Sequence, residues 1–207
     1  EDVKKLMAIA NVNSIRLVNL INDILDIEKM QSGKMDFRMS LVDLIPQVAS
    51  AIETNQYYAR EKGITLEFVD TYPEAQVKID AGKFMQLMAN LLSNAIKFSP
   101  ENGIVTVFVT KNENNVRVSI RDHGRGIDPE FRNQIFQKFA QADSSATRGK
   151  GGTGLGLNIC KMIVDRMSGF IGYESEAGKG ATFYFDLPDY YQQPAVNTGE
   201  PDFPEKP

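Results

Sequence analysis

Asn90-Leu91-Leu92-Ser93-Asn94-Ala95-Ile96-Lys97-Phe98 sets three polar heads, Asn90, Asn94 and Lys97, at i, i+4 and i+7 among apolar residues. That spacing describes a helix with one side for a core and one polar side. A carboxamide oxygen can ligate a divalent cation and an ammonium can neutralise a phosphate, so the polar side suits an anionic ligand as readily as solvent. Asp80 is a candidate N-cap for this helix and Ser99-Pro100 its stop. Val105, Val107 and Val109, then Val116, Val118 and Ile120, alternate with more polar residues on either side of 112–115, which reads as a β-hairpin.

Upstream, residues 40–62 are expected to form a helix capped by Ser40 and stopped by Gly63, with short strands at 64–69 and 76–79. Over the first thirty residues, Leu6, Ala10, Asn13, Leu17, Leu20, Ile24 and Ile27 alternate steps of four and three, a heptad seam ended by Ser32-Gly33. Met7, Val18, Ile21 and Leu25 widen that seam into the broad stripe of a bundle helix, which needs partner helices to bury it. Downstream, 121–126 is a turn, 129–136 a short helix, 154–168 a helix closed by Gly169, and 170–175 with 181–187 a final strand pair. The small, polar, glycine-rich run 140–153 is long enough for a lid. The expected fold is α+β, a two-layer sandwich: a mixed, largely antiparallel sheet with helices on one face, preceded by the long helix. The boundaries read as 1–33 for the helix, 40–188 for the sandwich and 189–207 for a proline-rich tail or linker.

Composition agrees. The chain has 207 residues with 42% hydrophobic and 24% charged, an ordinary globular balance. A net charge of −4 argues against nucleic-acid binding through the overall field. The single cysteine, Cys160, can form no internal disulfide, which suits a reducing compartment. No apolar run approaches the ~20 residues of a membrane span. Because Glu1 opens in mid-pattern without an initiator Met, the sequence reads as a piece of a longer protein.

Three further clusters carry chemistry. Asp122-His123-Gly124-Arg125-Gly126-Ile127 follows a strand: the carboxylate can accept from an exocyclic amine while the glycines let backbone approach a flat ligand. Phe136-Gln137-Lys138-Phe139 opens the lid. Gly151-Gly152-Thr153-Gly154-Leu155-Gly156-Leu157 opens a helix, where N–H groups and the helix dipole suit phosphates. It is neither a Walker A loop nor a dinucleotide fingerprint. Each cluster alone has an ordinary structural reading.

In this order the four resemble the N box, first glycine box, F box and second glycine box of the catalytic, ATP-binding domain of sensor histidine kinases, in the gyrase-type ATPase superfamily. Gly178-Lys179-Gly180-Ala181-Thr182-Phe183 is similar to the family's terminal strand motif, and residues 16–33 to the second helix of its dimerisation hairpin. The resemblance implies ATP and Mg²⁺ as cofactors, with Asn94 as the Mg²⁺ ligand and Lys97 at the phosphates. It implies Asp122 at the adenine amine, supported by Thr182, and Gly152, Gly154 and Gly156 over the phosphates, with Phe136 and Phe139 anchoring the lid. Asn90, Phe98, Gly124, Gly126, Ile127, Lys150, Thr153, Leu155 and Leu157 complete the implied nucleotide-binding set. Asn90 stands where hydrolytic members of the superfamily carry a Glu base; an amide cannot take a proton from water, whereas a neutral imidazole needs no base to attack phosphorus. The sole histidine, His123, lies in the nucleotide-binding turn, so the acceptor is expected on the preceding hairpin helix. The implied partners are that helix, a second copy in the full-length dimer and a response-regulator receiver domain, in a cytoplasmic setting, with an inner-membrane anchor of the full-length parent left open. A regulatory binding module, an anti-sigma-type serine kinase and a hydrolytic ATPase are the alternatives weighed against this reading.

Overall fold

The computed structural model describes residues 2–141 and 153–191; the expectations placed on Lys150, Gly152, most of the lid and the chain beyond 191 lie outside them. Helix α1 (Asp2–Gln31) ends where Gly33 turns with φ +67, its N–H donating to the Met30 carbonyl at 3.2 Å. Strand β1 (Ser40–Asp43), helix α2 (Leu44–Glu61), strands β2 (Thr65–Asp70) and β3 (Gln76–Ile79) and helix α3 (Ala81–Phe98) follow. Strands β4 (Ile104–Asn112) and β5 (Asn115–Asp122) form the expected hairpin. A 3₁₀ helix (Pro129–Gln134), helix α4 (Gly156–Arg166) and strands β6 (Phe170–Glu176) and β7 (Gly180–Pro188) complete the described chain.

Two expectations are corrected. Residues 40–43 do not start a helix but pair antiparallel with β3, Ser40 opposite Ile79 and Asp43 opposite Gln76. Pro46 has no N–H and is tolerated only in a first helical turn, so α2 begins at Leu44. The helix expected over 154–168 runs only from Gly156 to Arg166, because Gly154 (φ +72) and Ser168 (φ +58) lie outside the right-handed region at its two ends.

The main sheet has the order β2-β4-β5-β7-β6, antiparallel except for the β2–β4 pair. Strand alternation turns Val105, Val107 and Val109, Val116, Val118 and Ile120, and Phe183, Phe185 and Leu187 to one side, where they are buried beneath the helices. Against them α3 lays Phe84, Leu87, Met88, Leu91, Leu92, Ala95 and Ile96, and α4 lays Ile159, Cys160, Ile163 and Val164. Phe84 meets Phe185 edge-on at 6.0 Å. Burying each large apolar side chain contributes roughly 1.5–3 kcal/mol, so this layer fixes α3 and α4 on the sheet. The sheet's other side carries Arg117 and Arg121 of β5 with Thr182, Tyr184 and Asp186 of β7. There Arg117 grips Asp186 with two bonds of 2.7 and 2.8 Å, its guanidinium 4.0 Å from the centre of the Tyr184 ring.

The chain leaves the sandwich under restraint. Asp189 accepts from the Tyr72 hydroxyl at 2.5 Å and from the Tyr191 N–H at 3.0 Å, and Tyr191 meets Tyr72 edge-on, so the first three residues of the expected tail are held to the body.

Candidate nucleotide site

Helix α3 supplies the first wall. Asp80 caps it, accepting from the Lys83 N–H at 2.9 Å and from the Arg38 N–H at 2.8 Å. Burial alone would raise its carboxyl, but these donors outweigh it and hold the group below its ordinary value. At the other end Asn90, Asn94, Lys97 and Phe98 are part-exposed while Leu91, Leu92, Ala95 and Ile96 are buried, so the amphipathic division read from the sequence is the one realised. The Lys97 ammonium lies 4.8 Å from the centre of the Phe98 ring, and the Arg125 guanidinium 5.5 Å from it.

The turn after β5 is pressed against that helix. A Cβ on Gly124 would stand 2.2 Å from the Phe98 carbonyl oxygen, and one on Gly126 (φ +73) 2.3 Å from the Glu176 carbonyl oxygen. Only glycine permits both approaches. Ser175 laces the turn to the β6–β7 hairpin: its hydroxyl accepts from the Ile127 N–H and donates to the Gly180 carbonyl, both at 2.9 Å. Asp122, 5% exposed, is held by Oδ1, which accepts from the Gly124 N–H at 2.9 Å and the Ala181 N–H at 3.3 Å. Burial pushes its carboxyl above the usual range, against the opposing pull of those two N–H groups and nearby His123. An oriented, partly desolvated acceptor results, with Oδ2 outside both bonds.

Thr182 is not brought to this acceptor. Asp122 pairs across the ladder with Ala181, and alternation sends Thr182 to the sheet's other side, opposite Arg121 and Glu174. The contact at this end is the Ala181 backbone N–H.

The third and fourth clusters converge. A Cβ on Gly154 (φ +72) would stand 2.8 Å from the carbonyl carbon of Phe139, itself at φ +61, so the two ends of the 140–153 connection meet. Asn158, in the first turn of α4, donates to the Phe136 carbonyl at 2.9 Å, while its Oδ1 is buried without a partner among the described residues. The Phe136 ring packs on Tyr173 at 6.1 Å, whereas Phe139 is 62% exposed. Leu155 lies wholly in the core and Leu157 packs against it, so Leu155 can meet a ligand only through its backbone; its N–H takes the Thr153 hydroxyl at 3.3 Å. Gly156 closes the ring, because a Cβ there would stand 3.3 Å from Asn90 Oδ1. The buried Cys160 thiol donates to the Leu87 carbonyl at 3.8 Å, and burial pushes its ionisation up.

Asn90, Phe98, Asp122, Gly124, Gly154 and Gly156 thus form one connected wall from the carboxylate to the N-terminus of α4. Sequence reasoning missed Ser175, Ala181 and Asn158. Strand parity could have found Ala181, since it shares the core side with Phe183 and Phe185; Ser175 and Asn158 act through tertiary contacts that carry no local signal.

A charged acceptor at one end and helix N–H groups at the other fit a ligand with an amine-bearing base and an anionic tail. The Asn94 side chain is part-exposed on the same helix as Asn90 and Lys97, and a carboxamide oxygen is a donor that Mg²⁺ can take beside phosphate and water.

The fold and this wall define a nucleotide-binding ATPase domain. The chain belongs to the family of histidine kinase-, DNA gyrase B- and HSP90-like ATPases, whose model matches residues 79–191. Its relatives include the autoinducer 2 sensor kinase/phosphatase LuxQ of Vibrio vulnificus, 34% identical over 194 residues. That match takes in 91% of this chain and 22% of LuxQ, so the sequence spans about a fifth of that relative's length. Full-length ShkA, solved in complex with AMPPNP, superposes with TM-score 0.78 at 28% identity, over 91% of this chain and 39% of that one. The histidine kinase ThkA in complex with the response regulator TrrA shares the fold, with TM-score 0.71 at 24% identity over 91% of this chain and 52% of that one. No helix among the described residues is long and apolar enough to cross a membrane.

Proposed function

We propose that this chain is the ATP-binding catalytic module of a two-component sensor histidine kinase. In this reading it presents the γ-phosphoryl of Mg-ATP to a histidine on the companion helix of the dimerisation hairpin, for relay to an aspartate of a response-regulator receiver domain. The observation that carries the reading is Asp122, pinned through Oδ1 so that Oδ2 can accept the adenine amine, at the far end of a continuous wall from the α4 N-terminus. The names of LuxQ and of the ThkA complex support the kinase class and the receiver partner.

The protein's part is orientation and charge neutralisation. Asp122 and the Gly124–Phe98 contact seat the base, Lys97 meets phosphate oxygens, and backbone N–H groups at the α4 N-terminus take the anionic end. Asn94 would hold Mg²⁺, which neutralises charge on the transferring group. An imidazole lone pair then forms the N–P bond as the bond from Pγ to the bridging oxygen breaks, and ADP leaves with that electron pair. Asn90, an amide packed beside Gly156, offers no base to activate water, which favours transfer over hydrolysis. In the parent protein the exposed face of α1 (Leu6, Leu17, Val18, Ile21) is read as a bundle seam between two copies, and the module as cytoplasmic.

The test is radiolabelled ATP with this chain alone, then with a hairpin fragment bearing the acceptor histidine. Acid-labile label on the fragment, dependent on Mg²⁺ and lost with Asn94→Ala, is expected. Acid-stable label on this chain alone would refute the reading and favour a serine kinase.

A further inference from the structure

Among the described residues, α1 meets the sandwich from Leu20 onward and most fully at its end. Leu6 and Leu17 are 71% and 57% exposed, whereas Ile27 and Met30 are each 3% exposed. Around those two, polar contacts line the same side of the helix. Asp26 accepts from Lys83 at 3.3 Å and Gln86 at 2.9 Å on α3. The Met30 carbonyl accepts from Arg166 at 3.3 Å, and Gln31 accepts from Lys138 at 2.9 Å. One turn earlier, Asp23 accepts from the Thr153 hydroxyl at 3.2 Å.

Asp23 is the contact out of place. Thr153 begins the turn into α4, where the helix dipole and free N–H groups attract an anion. Burial raises the Asp23 carboxyl, the Thr153 hydroxyl offsets part of this, and neighbouring Asp26 adds to the rise. The docked helix therefore supplies a negative group at the place the proposed function gives to the triphosphate, which brings several negative charges of its own. Two buried apolar side chains, the half-buried Leu20 and a few mostly part-buried polar bonds make a light interface, one that such a conflict can open.

We infer that the end of α1 competes with nucleotide: Asp23, held at Thr153, opposes polyphosphate at the α4 turn, so docking of α1 and occupancy of the phosphate site disfavour one another. The inference rests on the nucleotide reading above and adds a control of that site by the helix leading into it. Asp26 and Lys83 set the strength of docking, and Asp23 couples it to the ligand.

The experiment uses the whole 207-residue chain. Calorimetry compares Mg-AMPPNP and adenosine on the wild type, on Asp23→Asn, which keeps an acceptor for Thr153 but removes the charge, and on Asp26→Asn, which breaks the Lys83 pair. Asp23→Asn should tighten AMPPNP about three- to tenfold and leave adenosine unchanged, the size of one partly screened like-charge contact. Asp26→Asn should act in the same direction, more weakly. Hydrogen exchange should show the backbone at 24–31 opening with AMPPNP but not with adenosine. Unchanged AMPPNP affinity in Asp23→Asn, or slower exchange at 24–31 with AMPPNP, overturns the inference while leaving nucleotide binding intact. A wild type that binds neither ligand overturns both readings.

Discussion

Asp122→Asn separates what the carboxylate does for the ligand from what it does to the fold. Oδ1 accepts two N–H bonds, from Gly124 at 2.9 Å and Ala181 at 3.3 Å, so an amide placed there must keep its oxygen on those donors. Its NH₂ then takes the place of Oδ2 and faces the adenine amine donor to donor. Losing a hydrogen bond to a charged acceptor costs ~1.5–3 kcal/mol, so ADP should bind roughly ten- to a hundredfold more weakly. Inosine diphosphate, which carries an acceptor oxygen in place of the amine, should lose far less and become the preferred ligand.

Stability moves the other way. A buried acid with a raised carboxyl binds its proton more readily folded than unfolded, so the ionised form opposes folding above the folded-state value. That penalty is relieved as pH falls through the folded-state value toward the ordinary aspartate range, and Asp122→Asn should remove it at neutral pH. The gain should appear as a higher Tm at neutral pH. It should shrink as pH is lowered. Scanning calorimetry of the ligand-free protein at pH 7 and pH 5, with titrations of both diphosphates, measures the two effects. Unchanged preference for ADP, or a less stable variant, would refute the orientation argued for Asp122.

Gly154→Ala must hold an alanine at φ +72 with its methyl 2.8 Å from the Phe139 carbonyl carbon, so it should cost about 1–2 kcal/mol in thermal stability. In the same variant ATP affinity should fall more than adenosine affinity, read by calorimetry with both ligands. On the far side of the sheet, Arg117→Ala strips the two-bond partner from Asp186, which is 8% exposed and keeps only Asn112 at 3.2 Å. Its urea midpoint should drop by the equivalent of about 2–4 kcal/mol while ADP affinity stays unchanged.

What could be read from the sequence, and what could not, follows the range of the forces involved. Residues 81–98 were legible because one local pattern decides both the buried side of α3 and the ligand side, and Asp80 caps it three residues from its partner Lys83. The hairpin was legible for the same reason, its alternation being a strand property before it is a tertiary one. Residues 40–43 were not, because Ser-Leu-Val-Asp becomes a strand only when β3 lies beside it; Pro46 was the local signal that a helix could not start at Ser40. Thr182 failed on parity by a single residue: a strand has two sides, Asp122 and Ala181 share one of them, and a motif read as a string does not record which. Asp23 belongs to the run 22–26 that resembles the hairpin helix, but its contact with Thr153 lay beyond sequence reasoning. On the helix it reads as one more solvated carboxylate beside an apolar seam, and it acquires a role only when residue 153, 130 positions away, is folded against it. The seam explains why α1 is a helix; the contact that gives its last turns a bearing on the site is made by its charged residues, because the sandwich offers α1 a lysine, a glutamine and a threonine hydroxyl beside two small apolar seats.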